Sequence, residues 1–79
     1  MRLDKYLKVS RIIKRRTVAN ELCDAKHVNV NGKAARASLE IKTGDIIEIQ
    51  MGQSLSKYEV LSVSEHATKE AAALMFKQL

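Results

Sequence analysis

The sequence predicts an α+β domain in which two short N-terminal helices and a C-terminal helix pack on a small antiparallel sheet. Three observations carry that expectation. Apolar residues recur with a helical period up to Ala25 and again from Lys69, they alternate in between, and an Asn-Gly pair separates two alternating segments. With 79 residues, the chain is expected to form a single domain over 1–79 with one modest core. A domain of this size buries only about 60% of its unfolded surface, so marginal stability is expected.

The elements follow in order. One helix over residues 2–16 would spread bases and apolar residues around its whole circumference and bury charge. Cut near Val9–Ser10, the pattern resolves. Over residues 2–8, Leu3, Tyr6 and Leu7 gather on one side and Arg2, Lys5 and Lys8 on the other. A second helix over Arg16–Ala25 places Val18, Ala19, Leu22, Cys23 and Ala25 on one arc, opposite Arg16, Asn20, Glu21 and Asp24. Ser10–Arg15 joins the pair as a cationic turn. Val28 and Val30 then alternate with Asn29 in a first strand. Asn31-Gly32 supplies the two positive-φ residues of a tight hairpin, with Lys33–Ala37 as the return strand. Thr43-Gly44-Asp45 turns into a strand over Ile46–Met51, and Gly52–Ser54 into another over Lys57–Val63, rich in β-branched and aromatic residues. Thr68 is placed to cap a final helix, Lys69–Lys77, with Ala72, Met75, Phe76 and Leu79 facing the sheet or the helical pair.

Composition narrows the function. Fourteen Lys and Arg against nine Asp and Glu give a formal net charge of +5. The charge is uneven. Residues 1–36 hold ten bases and three acids, a balance of +7, whereas residues 37–79 hold four bases and six acids, a balance of −2. Seven of those bases, Arg2, Lys5, Lys8, Arg11, Lys14, Arg15 and Arg16, fall in the first 16 residues. A polyanion-binding face on a mildly acidic scaffold is the expectation. The chain is too short for a deep substrate pocket of its own. The lone Cys23 admits no internal disulfide, which suits a reducing cytoplasm. The longest apolar run, Ala71–Phe76, is far below the roughly 18 residues of a membrane span. An amphipathic targeting helix over residues 1–16 would need an apolar face sustained along its length, and that face fails after residue 8.

No catalytic or metal-ligating constellation stands out. Cys23 and His27 are four apart, but two ligands do not make a zinc site, and His66 is distant in sequence. Cys23 sits on the apolar arc, where a thiolate is disfavoured. Asp45, Glu48 and Glu59 are scattered through the strand half, and the three glycines are isolated turn residues rather than a phosphate loop. The chain is therefore read as a non-enzyme without cofactor. Its only aromatics are Tyr6, Tyr58 and Phe76, too few for a base-stacking sheet. Recognition of folded RNA by shape and phosphate charge remains. A DNA-binding helix-turn-helix, with Asn20 as its one base-reading residue, and an adaptor for an acidic protein are the alternatives.

The strings MRLDKYL, KRRTVANEL, VNVNG and TGDIIEI, in register over residues 1–51, resemble the small RNA-binding domain named after ribosomal protein S-four. Residues 52–79 would add a C-terminal strand and helix. With VSRIIKRRT between the helices, the chain resembles the bacterial RqcP proteins in particular. That resemblance implies an S-four-like fold and a ribosome-associated monomer of the cytoplasm. Its implied partners are obstructed large ribosomal subunits, ribosomal RNA and peptidyl-tRNA. It further implies joint action with RqcH in adding C-terminal alanine tails to stalled chains. The sister heat-shock-type factor, which recycles large subunits, is the alternative. Arg2 and Arg16 occupy the family's RNA-contacting positions, with Lys5, Lys8, Arg11 and Arg15 around them. Two departures are visible. Arg15 stands where the family has a capping Ser, and Lys26 stands where it commonly has Gly, so a different helix exit is expected there.

Overall fold

Leu3, Tyr6 and Leu7 are fully buried on one side of the first helix, α1 (Leu3–Val9), as its apolar spacing requires. The computed structural model describes all residues, 1–79. The second helix, α2 (Arg16–Asp24), buries Ala19 and Cys23 against the same core, with Val18 and Leu22 half-buried beside them. Ala25, placed by the sequence on the apolar arc, is exposed, because it already lies beyond the last helical turn.

The strands are β1 (Val28–Val30), β2 (Lys33–Ala34), β3 (Ile46–Met51), β4 (Ser54–Val60) and β5 (Phe76–Gln78), with a short helix, α3 (Lys69–Ala73), before β5. All pairings are antiparallel, in the order β2-β1-β3-β4-β5. One face of the sheet carries Val28, Val30, Ile47, Ile49 and Val60 into the core. The other face includes the directly paired Glu48 and Lys57. Asn31 (φ 53°) and Gly32 (φ 82°) close the β1–β2 hairpin in the left-handed conformation that the Asn-Gly pair predicts. Asn31 also reaches out of its turn. It accepts from the Ile46 amide at 3.0 Å and donates to Asp45 at 3.1 Å, coupling the hairpin to the start of β3.

Three expected elements are corrected. The return strand is only Lys33–Ala34. From Ala35 the chain leaves the sheet to lace the N-terminus, with the Leu3 amide donating to the Leu39 carbonyl and the Asp4 amide to the Ala37 carbonyl. These bonds satisfy first-turn amides of α1 that Arg2, at the N-cap, cannot accept from. The fourth strand begins at Ser54 and ends at Val60, three residues earlier than its composition suggests, because Gly52 (φ 63°) closes the turn at once and Met51 pairs with Ser54. The final helix stops at Ala73. Thr68 caps it as expected, accepting from the Ala71 amide at 3.2 Å. Phe76–Gln78 then pair with β4, and the Phe76 ring meets Tyr58 edge-on at 5.5 Å. Ala72 and Met75 are buried and Phe76 is half-buried, but Leu79 is exposed.

Candidate nucleic-acid interface

The basic face is organised by one acid. Asp4 lies in the first turn of α1 and is only 2% exposed. Arg2 grips its two carboxylate oxygens with Nε at 3.2 Å and Nη2 at 3.3 Å. Arg16, at the start of α2, reaches the same carboxylate at 3.4–3.5 Å, and Asn20, one turn later, donates to it at 3.3 Å. The Lys5 amide donates to it at 2.8 Å. Burial alone would raise this carboxyl's pKa, but the hydrogen bonds from Arg2, Arg16, the Lys5 amide and Asn20 outweigh it and hold the group below the usual carboxylate range. Asp4 is thus an ionised anchor joining the two helices.

The consequence for the arginines is geometric. Arg2 and Arg16 side chains remain 50% and 47% exposed, so each guanidinium presents an edge to solvent while the buried carboxylate fixes its position. A guanidinium has five N–H donors in a rigid fork. Arg2 commits two to Asp4, leaving three for an anion such as a phosphate. Two cations share one anion here, so the site keeps a net positive charge.

The turn between the helices presents the next group. Ser10 is buried and donates to the Leu7 carbonyl, Ile13 is buried with its amide on that same carbonyl, and Arg11 takes φ 64°. These anchors leave Arg11, Lys14 and Arg15 exposed. Lys8, Arg11 and Lys14 line a shallow groove of about 600 Å³ together with Glu65, His66 and Lys69 from the segment leading into α3. Lys5 has a separate, exposed partner, its ammonium pairing with Glu65 at 2.9 Å, and that pairing lowers the Glu65 pKa. Arg15 is the N-cap of α2 and makes no side-chain cap, as its replacement of serine implies.

The helix exit at Lys26 departs from expectation. Lys26 adopts φ 63°, with its amide on the Cys23 carbonyl and the His27 amide on the Leu22 carbonyl. This is the ordinary left-handed helix termination, built with lysine in the glycine position. Lys26 thereby joins Arg2 and Arg36 around a second groove between α2 and the chain after β2.

Sequence reasoning missed Asp4 as the organiser, Asn20 as its partner rather than a base reader, and His66 and Lys69 as groove residues. The Asp in RLDKYL was visible, but nothing in the string brings Arg16 to it. His66 and Lys69 arrive through the β4–α3 connection, for which the sequence has no local signal. Cys23 is buried, and its thiol is pushed up to about 11 by burial and then by the charges of Asp4 and Asp24, which disfavours the thiolate.

Comparison with known proteins places the chain in a family. The S4 domain family matches residues 1–47. The RQC P-site tRNA stabilizing factor of Streptococcus pneumoniae is 51% identical over 77 residues, covering 98% of this chain and 88% of that protein. The corresponding factor of Halalkalibacterium halodurans is 47% identical over the same shares of both chains. A trimeric structure of Vibrio cholerae Heat Shock Protein 15 superposes with a TM-score of 0.90, covering 100% of this chain and 81% of that one, at 24% identity, which speaks to the fold alone. The chain belongs to the S4 domain family, in the branch that holds the RQC P-site tRNA stabilizing factors.

Proposed function

We propose that this chain is a non-enzymatic RNA-binding factor of ribosome-associated quality control. It grips ribosomal RNA and tRNA on obstructed large subunits and supports RqcH-dependent C-terminal alanine tailing of stalled chains. It acts in the cytoplasm, on the ribosome and as a monomer. The observation that carries the reading is the pair of half-exposed arginines, Arg2 and Arg16, held on one buried carboxylate beside a cationic turn. Such a pair recognises phosphates whose spacing is fixed by a folded backbone, because its own geometry is fixed in advance. The name of the Streptococcus pneumoniae relative supports tRNA as part of that backbone. Asn20 is engaged with Asp4, which weakens a base-reading helix-turn-helix.

Arg16→Ala tests the reading. Loss of one charged contact should weaken binding to purified large subunits carrying peptidyl-tRNA by about 1–3 kcal/mol while the fold persists. Undiminished co-sedimentation of the folded variant would remove Arg16 from the interface. If large subunits are bound but alanine tailing is unaffected by loss of the protein, the recycling role of the heat-shock-type sister becomes the better reading.

A further inference from the structure

On the side of the cationic turn facing the β3–β4 hairpin, the charged surface is interrupted by an apolar hollow. Met51 continues the core-facing series of β3 after Ile47 and Ile49, yet those two are buried and Met51 is 57% exposed. The strand overruns the core, and its last inward side chain projects beneath the turn. There it meets the half-buried Ile12 and Val18 above the buried Ile13, while Lys14 and Arg15 form the remaining wall of a cleft of about 400 Å³.

We propose that this hollow seats a single unpaired nucleobase of the bound RNA, with Lys14 and Arg15 holding the flanking phosphates. The inference rests on the RNA-binding reading above and extends it to a preference for looped or bulged strands. The occupant must offer a small apolar surface and an anionic group beside it, and one nucleotide supplies both. The cleft is near the lower end of small-molecule sites. A membrane surface fits less well, because an interfacial segment needs a wide apolar face and here the cations stand directly on the rim. A flexible thioether also suits an aromatic heterocycle, since sulfur makes favourable contacts with ring edges. The arginine plane can cover the base from the side. A protein with so few aromatics can in this way bind an extruded base on an aliphatic and thioether seat.

The test compares two RNA hairpins, one fully paired and one with a single bulged 2-aminopurine, bound by the wild type, Met51→Ser and Met51→Leu over a salt series. The wild type is expected to prefer the bulged hairpin, and 2-aminopurine fluorescence should rise as the base leaves its stack for a non-aromatic seat. Met51→Ser should bind the bulged hairpin about five-fold more weakly, because a short polar side chain replaces the apolar seat under the base. Its affinity for the paired hairpin and its salt slope should stay unchanged, because the lost contact carries no charge. Met51→Leu should keep most of the preference, and both variants should melt like the wild type since Met51 is largely exposed. Equal losses on the two hairpins, or none, would overturn the proposal while leaving RNA binding intact. Failure of the wild type to bind either hairpin would bring down the RNA reading together with it. A Met51-dependent preference for anionic phosphatidylglycerol vesicles over the bulged hairpin would assign the hollow to a membrane surface instead.

Discussion

Replacing Asp4 by alanine separates two accounts of the basic face. If charge alone governs RNA affinity, removing an acid raises the net charge from +5 to +6 and should tighten binding. If Asp4 positions the arginines, binding should weaken despite the added charge, because Arg2 and Arg16 lose the carboxylate that fixes them. The stability cost can be bounded from the contacts. A hydrogen bond to a charged group contributes about 1.5–3 kcal/mol, and Asp4 accepts from Arg2, Arg16, Asn20 and the Lys5 amide. The two arginines are half-exposed, so water takes over much of their solvation in the variant and the exposed side of each pair is discounted. A net loss of about 2 kcal/mol is expected, large against the roughly 4–12 kcal/mol available to a domain of this length. At roughly 4–8 °C per kcal/mol, the melting temperature should fall by about 10 °C.

The assay is thermal unfolding at pH 7 alongside RNA binding well below the variant's melting point. Acid adds an independent check. The folded-state pKa of Asp4 is lowered, so its contribution is present above the unfolded value near 3.9 and is lost as pH falls through the folded value. The gap in stability between wild type and Asp4→Ala should therefore close in strong acid. A variant that melts like the wild type at pH 7, or that binds RNA more tightly while folded, would refute the anchor.

Two further substitutions test the frame that carries the site. Lys26→Gly relieves a left-handed lysine at φ 63° and should raise stability by about 0.5–1 kcal/mol, after allowing for the freer unfolded chain. No gain in urea unfolding would mean that contacts of the lysine side chain along its groove offset the strain. Tyr6→Phe removes a buried hydroxyl that donates to the Met75 carbonyl at 2.8 Å. That carbonyl also accepts from the Leu61 and Ser62 amides, so it stays satisfied and the loss should be only about 1 kcal/mol. Burial raises the Tyr6 pKa, so its contribution holds below the unfolded value near 10 and is lost as pH climbs above it. Wild type should lose stability in alkali more steeply than Tyr6→Phe, and parallel pH profiles would contradict the buried phenol.

The parts of the fold that were legible are those specified locally. The Asn31-Gly32 hairpin, the Thr68 cap and the break between the helices at Val9–Ser10 each rest on residues within a few positions of one another. The parts that were not legible depend on distant partners. Lys69–Lys77 reads as a helix because Ala72, Met75 and Phe76 have helical spacing, yet Phe76 is drawn into the sheet by Tyr58, with Val60 as its strand partner. Ala35–Ala37 alternate like a strand, yet their backbone is needed to satisfy α1. In both cases long-range pairing outweighs a short periodic signal.

The candidate site divides in the same way. Charge counting located the cationic turn, but it gives Lys5 the same weight as Arg16, although Lys5 pairs with the exposed Glu65 and Arg16 is fixed on the buried Asp4 with half its surface free. It also assigns Asp4 a negative contribution to a polyanion-binding face. In the fold that sign is misleading, because a buried anion that restrains two arginines removes orientational freedom they would otherwise lose on binding. Restraining a rotamer-rich side chain in advance saves roughly 0.5–1.5 kcal/mol of ordering cost. Two such side chains can recover more than the modest, salt-screened repulsion that one shared carboxylate adds toward a phosphate. The left-handed Arg11 and Lys26 follow related logic, since each places a cation at a helix exit where glycine would be less strained. On the proposed reading, arrangement, and the left-handed backbone that serves it, sets the specificity of this face more than its total of positive charge.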